Sequence, residues 1–245
     1  MKLYKIYSRA IGLLFALSLL CVGCENEDIL DINDLEISPS NPESVVIVEP
    51  DDGITSVNAL TKAINENGDA TYILRRDGVY YMEGKNVFKH NVVIKAENGS
   101  GKMPIIQPIC DAQGALNADM IRLEGSATFE NIYIIGKDAA TGNLMQRLFR
   151  IDESNVRLKF DNCFIDHCRN FCIRTDNVNN KIYLNNSTIR NLALTSDPAN
   201  GRLIDSRGNE QDSIVINNCY VYNNTAHIVP VSYTHLRAHE TCADL

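Results

Sequence analysis

The sequence predicts an all-β chain wound as a right-handed parallel β-helix, a single solenoid with three strands per coil and a helix capping its N-terminal end. Three observations predict it. Four segments repeat one pattern: TFENIYI at 128–134, KFDNCFI at 159–165, YLNNSTI at 183–189 and VINNCYV at 215–221. Their asparagines, Asn131, Asn162, Asn186 and Asn218, fall 31, 24 and 32 residues apart, a coil length with insertions. Short β-branched runs such as 156–160 and 182–184 lie between them, and a further set, ADMIRLEG, RLFRIDES, NFCIRTDN and GRLIDSRG, ends each coil. Asparagine suits the repeated corner because its amide bonds to the coils above and below, about 4.8 Å away, and it tolerates a left-handed backbone.

Residues 1–23 have the parts of a secretory signal: Lys2, Lys5 and Arg9, the apolar run IGLLFALSLLCV, then Gly23 before Cys24. The run is short for a membrane span. LLCVGC resembles the lipobox of bacterial lipoproteins, with Cys21 where leucine is usual, and this implies lipidation at Cys24. The acidic residues that follow, Glu25, Glu27 and Asp28, resemble the signal that sends lipoproteins of some Gram-negative gut anaerobes to the outer cell face. The expected location is the outer membrane, lipid-anchored and surface-exposed. Residues 24–45 are acidic, with Pro39 and Pro42 and no helical or strand period, and read as a solvated tether. The β-helix domain is expected over 46–230.

TSVNALTKAINENGD spaces Val57, Leu60, Ala63 and Ile64 on one helical face, with Thr55 or Ser56 as N-cap and Gly68 as the stop. Such a helix would cover the open end of the core. DATYILRRDGVYY and NVVIKAENGSGKMPIIQP read as two earlier coils without the Asn motif. No equivalent cap follows at the C-terminal side. The tail VSYTHLRAHETCADL resembles translated sequencing-adapter DNA, so residues 231–245 are expected to be foreign and the natural domain to continue further.

A net charge of −8 argues against nucleic-acid binding, which needs a basic stripe. FDNCFIDHCRNFC places Cys163, His167, Cys168 and Cys172 within ten residues, which on its own suggests zinc. Aligning coils by the asparagines puts Cys163 in an inward column with Ile132, Ser187 and Cys219, and His167 at a turn with Gly136, Asn191 and Asn223. Packed thiols fit that register better than four convergent ligands. A Cys168–Cys172 bridge stays open in an oxidising compartment.

The third strands carry more chemistry. With Ile121, Phe149, Ile173 and Ile204 aligned inward, the next outward column reads Arg122, Arg150, Arg174, Asp205. Two residues on come Glu124, Asp152, Asp176 and Arg207. Another outward column, Tyr133, Phe164, Thr188 and Tyr220, could stack on sugars or pack under a loop, the loop being preferred.

The order of helix, GDATYILRRDGVYY, the MPII stretch and F-x-N coils is similar to the pectin-lyase-like β-helix superfamily. Within it the likeness is to surface lipoproteins of glycan-utilising bacteria and, more distantly, to the chondroitinase B and alginate lyase group. The resemblance implies a substrate groove on the third-strand face and an acidic polysaccharide as partner. Arg122, Arg150, Arg174 and Arg207 would grip its carboxylates or sulfates, while Asp152 and Asp176 would bind Ca²⁺. No catalytic base can be matched to the lyases' pair. The hydrolases' paired aspartates are missing, which ranks hydrolysis below β-elimination. Three readings stay open: an ionic ladder without ligand, a glycan-contacting groove, and a catalytic centre. A monomer is expected.

Overall fold

The computed structural model describes residues 44–192 and 201–224. Strand β1 (Val45–Val48) leads in, followed by helix α1 (Ala59–Asn67). The first coil is β2 (Ala70–Leu74), β3 (Val79–Glu83) and β4 (Val87–Phe88), and the second β5 (Val92–Ala96), β6 (Ile105–Ile109) and β7 (Asp119–Leu123). The third is β8 (Ala127–Glu130), β9 (Tyr133–Ile135) and β10 (Arg147–Ile151), and the fourth β11 (Arg157–Asp161), β12 (Phe164–Cys168) and β13 (Phe171–Thr175). The fifth is β14 (Lys181–Asn185), β15 (Thr188–Leu192) and β16 (Arg202–Asp205), and β17 (Ser213–Asn217) and β18 (Tyr220–Asn224) begin a sixth.

Each coil adds one strand to each of three parallel sheets: β1, β2, β5, β8, β11, β14 and β17 in the first, β3 to β18 by threes in the second, β4 to β16 by threes in the third. This is the predicted parallel β-helix. The strand β1 starts at Val45, one residue before the expected boundary, because Val45 and Val46 pair with Thr71 and Tyr72. The two-residue β4 was not foreseen; it pairs only with Arg122 and Leu123 of β7.

The interior forms by stacking like residues. Ile134, Ile165 and Ile189 lie in register along the second sheet, and all are buried. At the centre Phe129 stacks on Phe160 with centroids 5.3 Å apart, and Phe149 meets both edge-on. Three rings from two sheets thus fill the width between them. Helix α1 buries Leu60, Thr61 and Ile64 against this core. Its cap differs from expectation. Asp52 accepts the amides of Ile54, Thr55 and Ser56, and the hydroxyls of Thr55 and Ser56 go to Asp52 and Asp51. Neither can therefore cap the helix. The residue at that position is Asn58, left-handed at φ 62°, and the Asp51 carboxylate accepts the Ala59 amide at 3.1 Å from eight residues upstream.

The corner between the first and second sheets is made by Asn131, Asn162, Asn186 and Asn218, all left-handed with φ of 58°, 49°, 50° and 50°. Asn162 donates its amide to Asn131 Oδ1 at 2.6 Å and Asn218 to Asn186 Oδ1 at 2.8 Å. The run is not continuous, because Asn186 donates instead to the Asp161 carboxylate at 3.0 Å. A carboxylate is the stronger acceptor and draws the Asn186 hydrogen bond away from the neighbouring amide oxygen. The next corner repeats the device: His167, Asn191 and Asn223 have φ of 54–57°, and Asn223 donates to Asn191 Oδ1 at 3.2 Å. Gly136 holds the same corner for a different reason, since a Cβ there would lie 2.1 Å from the His167 carbonyl oxygen.

Replacing Asn186 tests the corner. Asn186→Ala should cost about 2–3 kcal/mol, combining a left-handed penalty with lost side-chain bonds, and Asn186→Gly roughly half of that. Equal losses for both in chemical denaturation would show that the backbone conformation contributes nothing.

Candidate functional site

The third sheet stacks Arg122, Arg150 and Arg174 as register partners on successive rungs, with Asp205 next in line. Their side chains are 24 %, 25 % and 17 % exposed. Arg150 Nε lies 2.7 Å from Asp152 Oδ1 and 2.6 Å from Asp176 Oδ2, ionic contacts outside hydrogen-bond geometry. Arg122 Nη1 reaches Asp152 Oδ2 at 3.3 Å, and Arg174 Nε donates to Asp176 Oδ1 at 2.9 Å. The Nη atoms of Arg174 have no partner among the described residues. Arg207 stands apart: β16 ends at Asp205, and Arg207 occupies an exposed turn at φ 56°.

Beneath this ladder sits a carboxylate that the sequence columns do not contain. Asp119, 2 % exposed, contacts Arg147, Arg122 Nε at 3.0 Å and Arg150 Nη1 at 3.6 Å. Each rung buries two successive residues, Met120–Ile121, Leu148–Phe149, Cys172–Ile173 and Leu203–Ile204. Alternation therefore fails at this point. Asp119 and Arg147, which strict alternation puts inward with Ile121 and Phe149, fall on the arginine side instead. Burial pushes the Asp119 carboxyl up, but hydrogen bonds and charge from Arg147 and Arg122 outweigh it and hold it below the ordinary 3.8.

Asp152 and Asp176, the residues expected to hold Ca²⁺, do not form an oxygen cage. All four of their carboxylate oxygens face guanidinium nitrogens. Ca²⁺ takes six to eight oxygens, and the arrangement as folded does not fit it. Among the described residues, no three His, Cys, Asp or Glu side chains converge in a way that could hold a metal. The cysteine-rich stretch is core: burial pushes the Cys163 and Cys168 thiols up to about 12 and Cys172 well above its ordinary value. The five described cysteines are all free, so Cys168 and Cys172 are not bridged. Cys24 lies outside the described residues.

A second polar cluster occupies the outer face of the second sheet. Asp166, 1 % exposed, accepts the Tyr133 hydroxyl at 3.0 Å, Arg190 Nη2 at 2.8 Å and the Asn191 amide at 2.7 Å, with His167 Nδ1 at 2.6 Å. Burial raises its carboxyl; the bonds from Arg190, Asn191 and Tyr133 more than offset this. Arg190 also lies over the Phe164 ring at 4.6 Å, and Tyr133 meets that ring edge-on. Within the aromatic column Tyr133 and Phe164 are thus half-buried among their neighbours, whereas Tyr220 is 69 % exposed. Register supplies the missed signal, since Ile135, Asp166, Arg190 and Tyr222 share one outward line. The cluster ties three coils together.

Comparison with protein-family profiles finds no match, and comparison with curated protein sequences finds none either. The site's chemistry therefore rests on its geometry.

Asp119→Asn leaves Arg147 buried without its counter-charge and should cost about 3 kcal/mol at neutral pH. The folded value is depressed below 3.8, so the ionic contribution is complete above that pH and is lost as pH falls through the lower folded value. Urea unfolding of wild type and variant should therefore converge on acidification. A constant gap down to the acid limit would contradict the assignment.

Proposed function

We propose that this β-helix is a surface-anchored module that binds an acidic polysaccharide along the outer face of its third sheet. The observation that carries the reading is the row of Arg122, Arg150 and Arg174 on consecutive rungs, in a protein whose net charge is −8. A linear polyanion repeats along its length as the row does, and guanidinium pairs with carboxylate or sulfate in a planar fork. Because Asp119, Asp152 and Asp176 already pair with the arginines, the ligand competes with internal carboxylates. Weak, additive, salt-sensitive contacts follow from that.

Binding is favoured over cleavage by the composition of the face. The outward positions of β7, β10, β13 and β16 and the residues just beyond them hold no Lys, His or Tyr to remove a proton, the carboxylates of Asp119, Asp152 and Asp176 are engaged by the arginines, and exposed Lys89 stands only at the edge rung, directly after β4. Elimination needs such a base beside the group that neutralises the uronate. The lipid anchor of the reading is at Cys24, supported by LLCVGC; no helix among the described residues is long and apolar enough to cross a membrane.

Arg174 is the discriminating residue, because it makes one ion pair and Asp176 keeps Arg150 when it is removed. Arg174→Ala should change stability by less than about 1 kcal/mol. It should weaken binding to a polyuronate by at least about fivefold and flatten its salt dependence. No unsaturated product should form in ultraviolet absorbance. Unchanged affinity with an intact fold would leave the arginines as an internal ladder, and product formation would make the protein a lyase.

A further inference from the structure

The chain contains three Asn-Gly dipeptides: 67–68, 98–99 and 200–201. Asn200 lies outside the described residues. In such a pair the glycine amide nitrogen can attack the asparagine side-chain carbonyl carbon, since glycine adds no Cβ to block the approach. The attack needs a free glycine N–H and a side chain able to swing back over it.

The fold treats the two described pairs differently. Asn67 closes α1, where its side-chain amide donates to the Ala63 carbonyl at 2.8 Å. The Gly68 amide donates to the Ile64 carbonyl at 2.9 Å. Both bonds must break before the atoms can meet, which requires opening the end of a helix packed on the core. Asn98 and Gly99 instead occupy an exposed bend between β5 and β6. Among the described residues, neither the Asn98 side chain nor the Gly99 amide has a hydrogen-bond partner. Gly99 has φ 125° and no atom within 4 Å of where a Cβ would stand. The bend's ends are pinned: Arg76 donates to the Glu97 carbonyl at 2.9 Å and to the Gly101 carbonyl at 3.1 Å, and the Lys102 amide donates to Asp77 at 3.1 Å. The residues between them are unencumbered.

We propose that Asn98 is a site of spontaneous deamidation in the folded protein, and that Asn67 is protected by its helix. The Gly99 nitrogen forms a bond to Asn98 Cγ and gives up its proton. The Cγ–Nδ2 bond breaks and ammonia departs, leaving a five-membered imide. Water then opens the imide at either carbonyl, giving aspartate or isoaspartate. The product adds a negative charge beside Glu97, whose carboxylate pairs with Arg75 at 2.6 Å. In the isoaspartate form it also adds a backbone methylene between the two pinned ends.

The test is to hold the full chain, folded, at mildly alkaline pH and follow both peptides by mass spectrometry for the exchange of NH₂ for OH. Conversion at Asn98 should exceed that at Asn67 by at least about tenfold, because two hydrogen bonds guard the latter. In denaturant the two rates should converge. Equal rates in the folded protein, or conversion at Asn98 only after unfolding, would overturn the proposal.

Discussion

The structure depends on one constraint: parallel strands stacked in register place like over like. Each coil repeats the side-chain positions of the one before at about 4.8 Å. Inside, this is favourable, since isoleucine stacks over isoleucine and ring over ring, burying each against its like. Outside, it stacks Arg150 on Arg122 and on Arg174. Two like charges at that spacing repel by about 3.5 kcal/mol at an effective dielectric of ~20. The third sheet can hold its arginines only with carboxylates set between them, and Asp119, Asp152 and Asp176 occupy those places. The ladder is the consequence of repetition, whatever further use the face has.

The corners obey the same constraint. From the third coil on, the corner after the first sheet and, except at Gly136, the corner after the second hold a left-handed residue, and asparagine fills most of them because its amide can bond along the stack as well as tolerate the backbone. Where a carboxylate stands near, it diverts the amide. Asn186 turns to Asp161, and Asn191 turns to Asp166. Both aspartates precede a left-handed residue, so corner and charge are coupled: Asp166 draws Tyr133, Arg190 and Asn191 from coils on either side.

Much of this was legible in the chain. Aligning the inward Ile121, Phe149, Ile173 and Ile204 put Arg122, Arg150, Arg174 and Asp205 in one column, and the same residues are strand partners. The asparagine register turned Cys163 inward, where it is buried. Asp119 and Arg147 were hidden because a period of two cannot anticipate two consecutive core residues. The cap of α1 was hidden because competition among Asp51, Asp52, Thr55 and Ser56 for the same donors is settled only in three dimensions. The Asp166 cluster was present in the register but lay beside a cysteine pattern whose local spacing suggested metal. Sequence spacing reports which residues are neighbours along the stack; it does not report which neighbour wins a shared hydrogen bond.

In the proposed binding mode the arginines of the third sheet meet a polyanion while those of the other sheets do not. Arginine-specific chemical modification of the full chain, with and without a saturating polyuronate and read residue by residue, tests it directly. Protection of Arg174 and Arg122, with Arg157 of the first sheet and Arg190 of the second unchanged, is the expected result. Protection centred on Arg190, or uniform protection across all three faces, would contradict it.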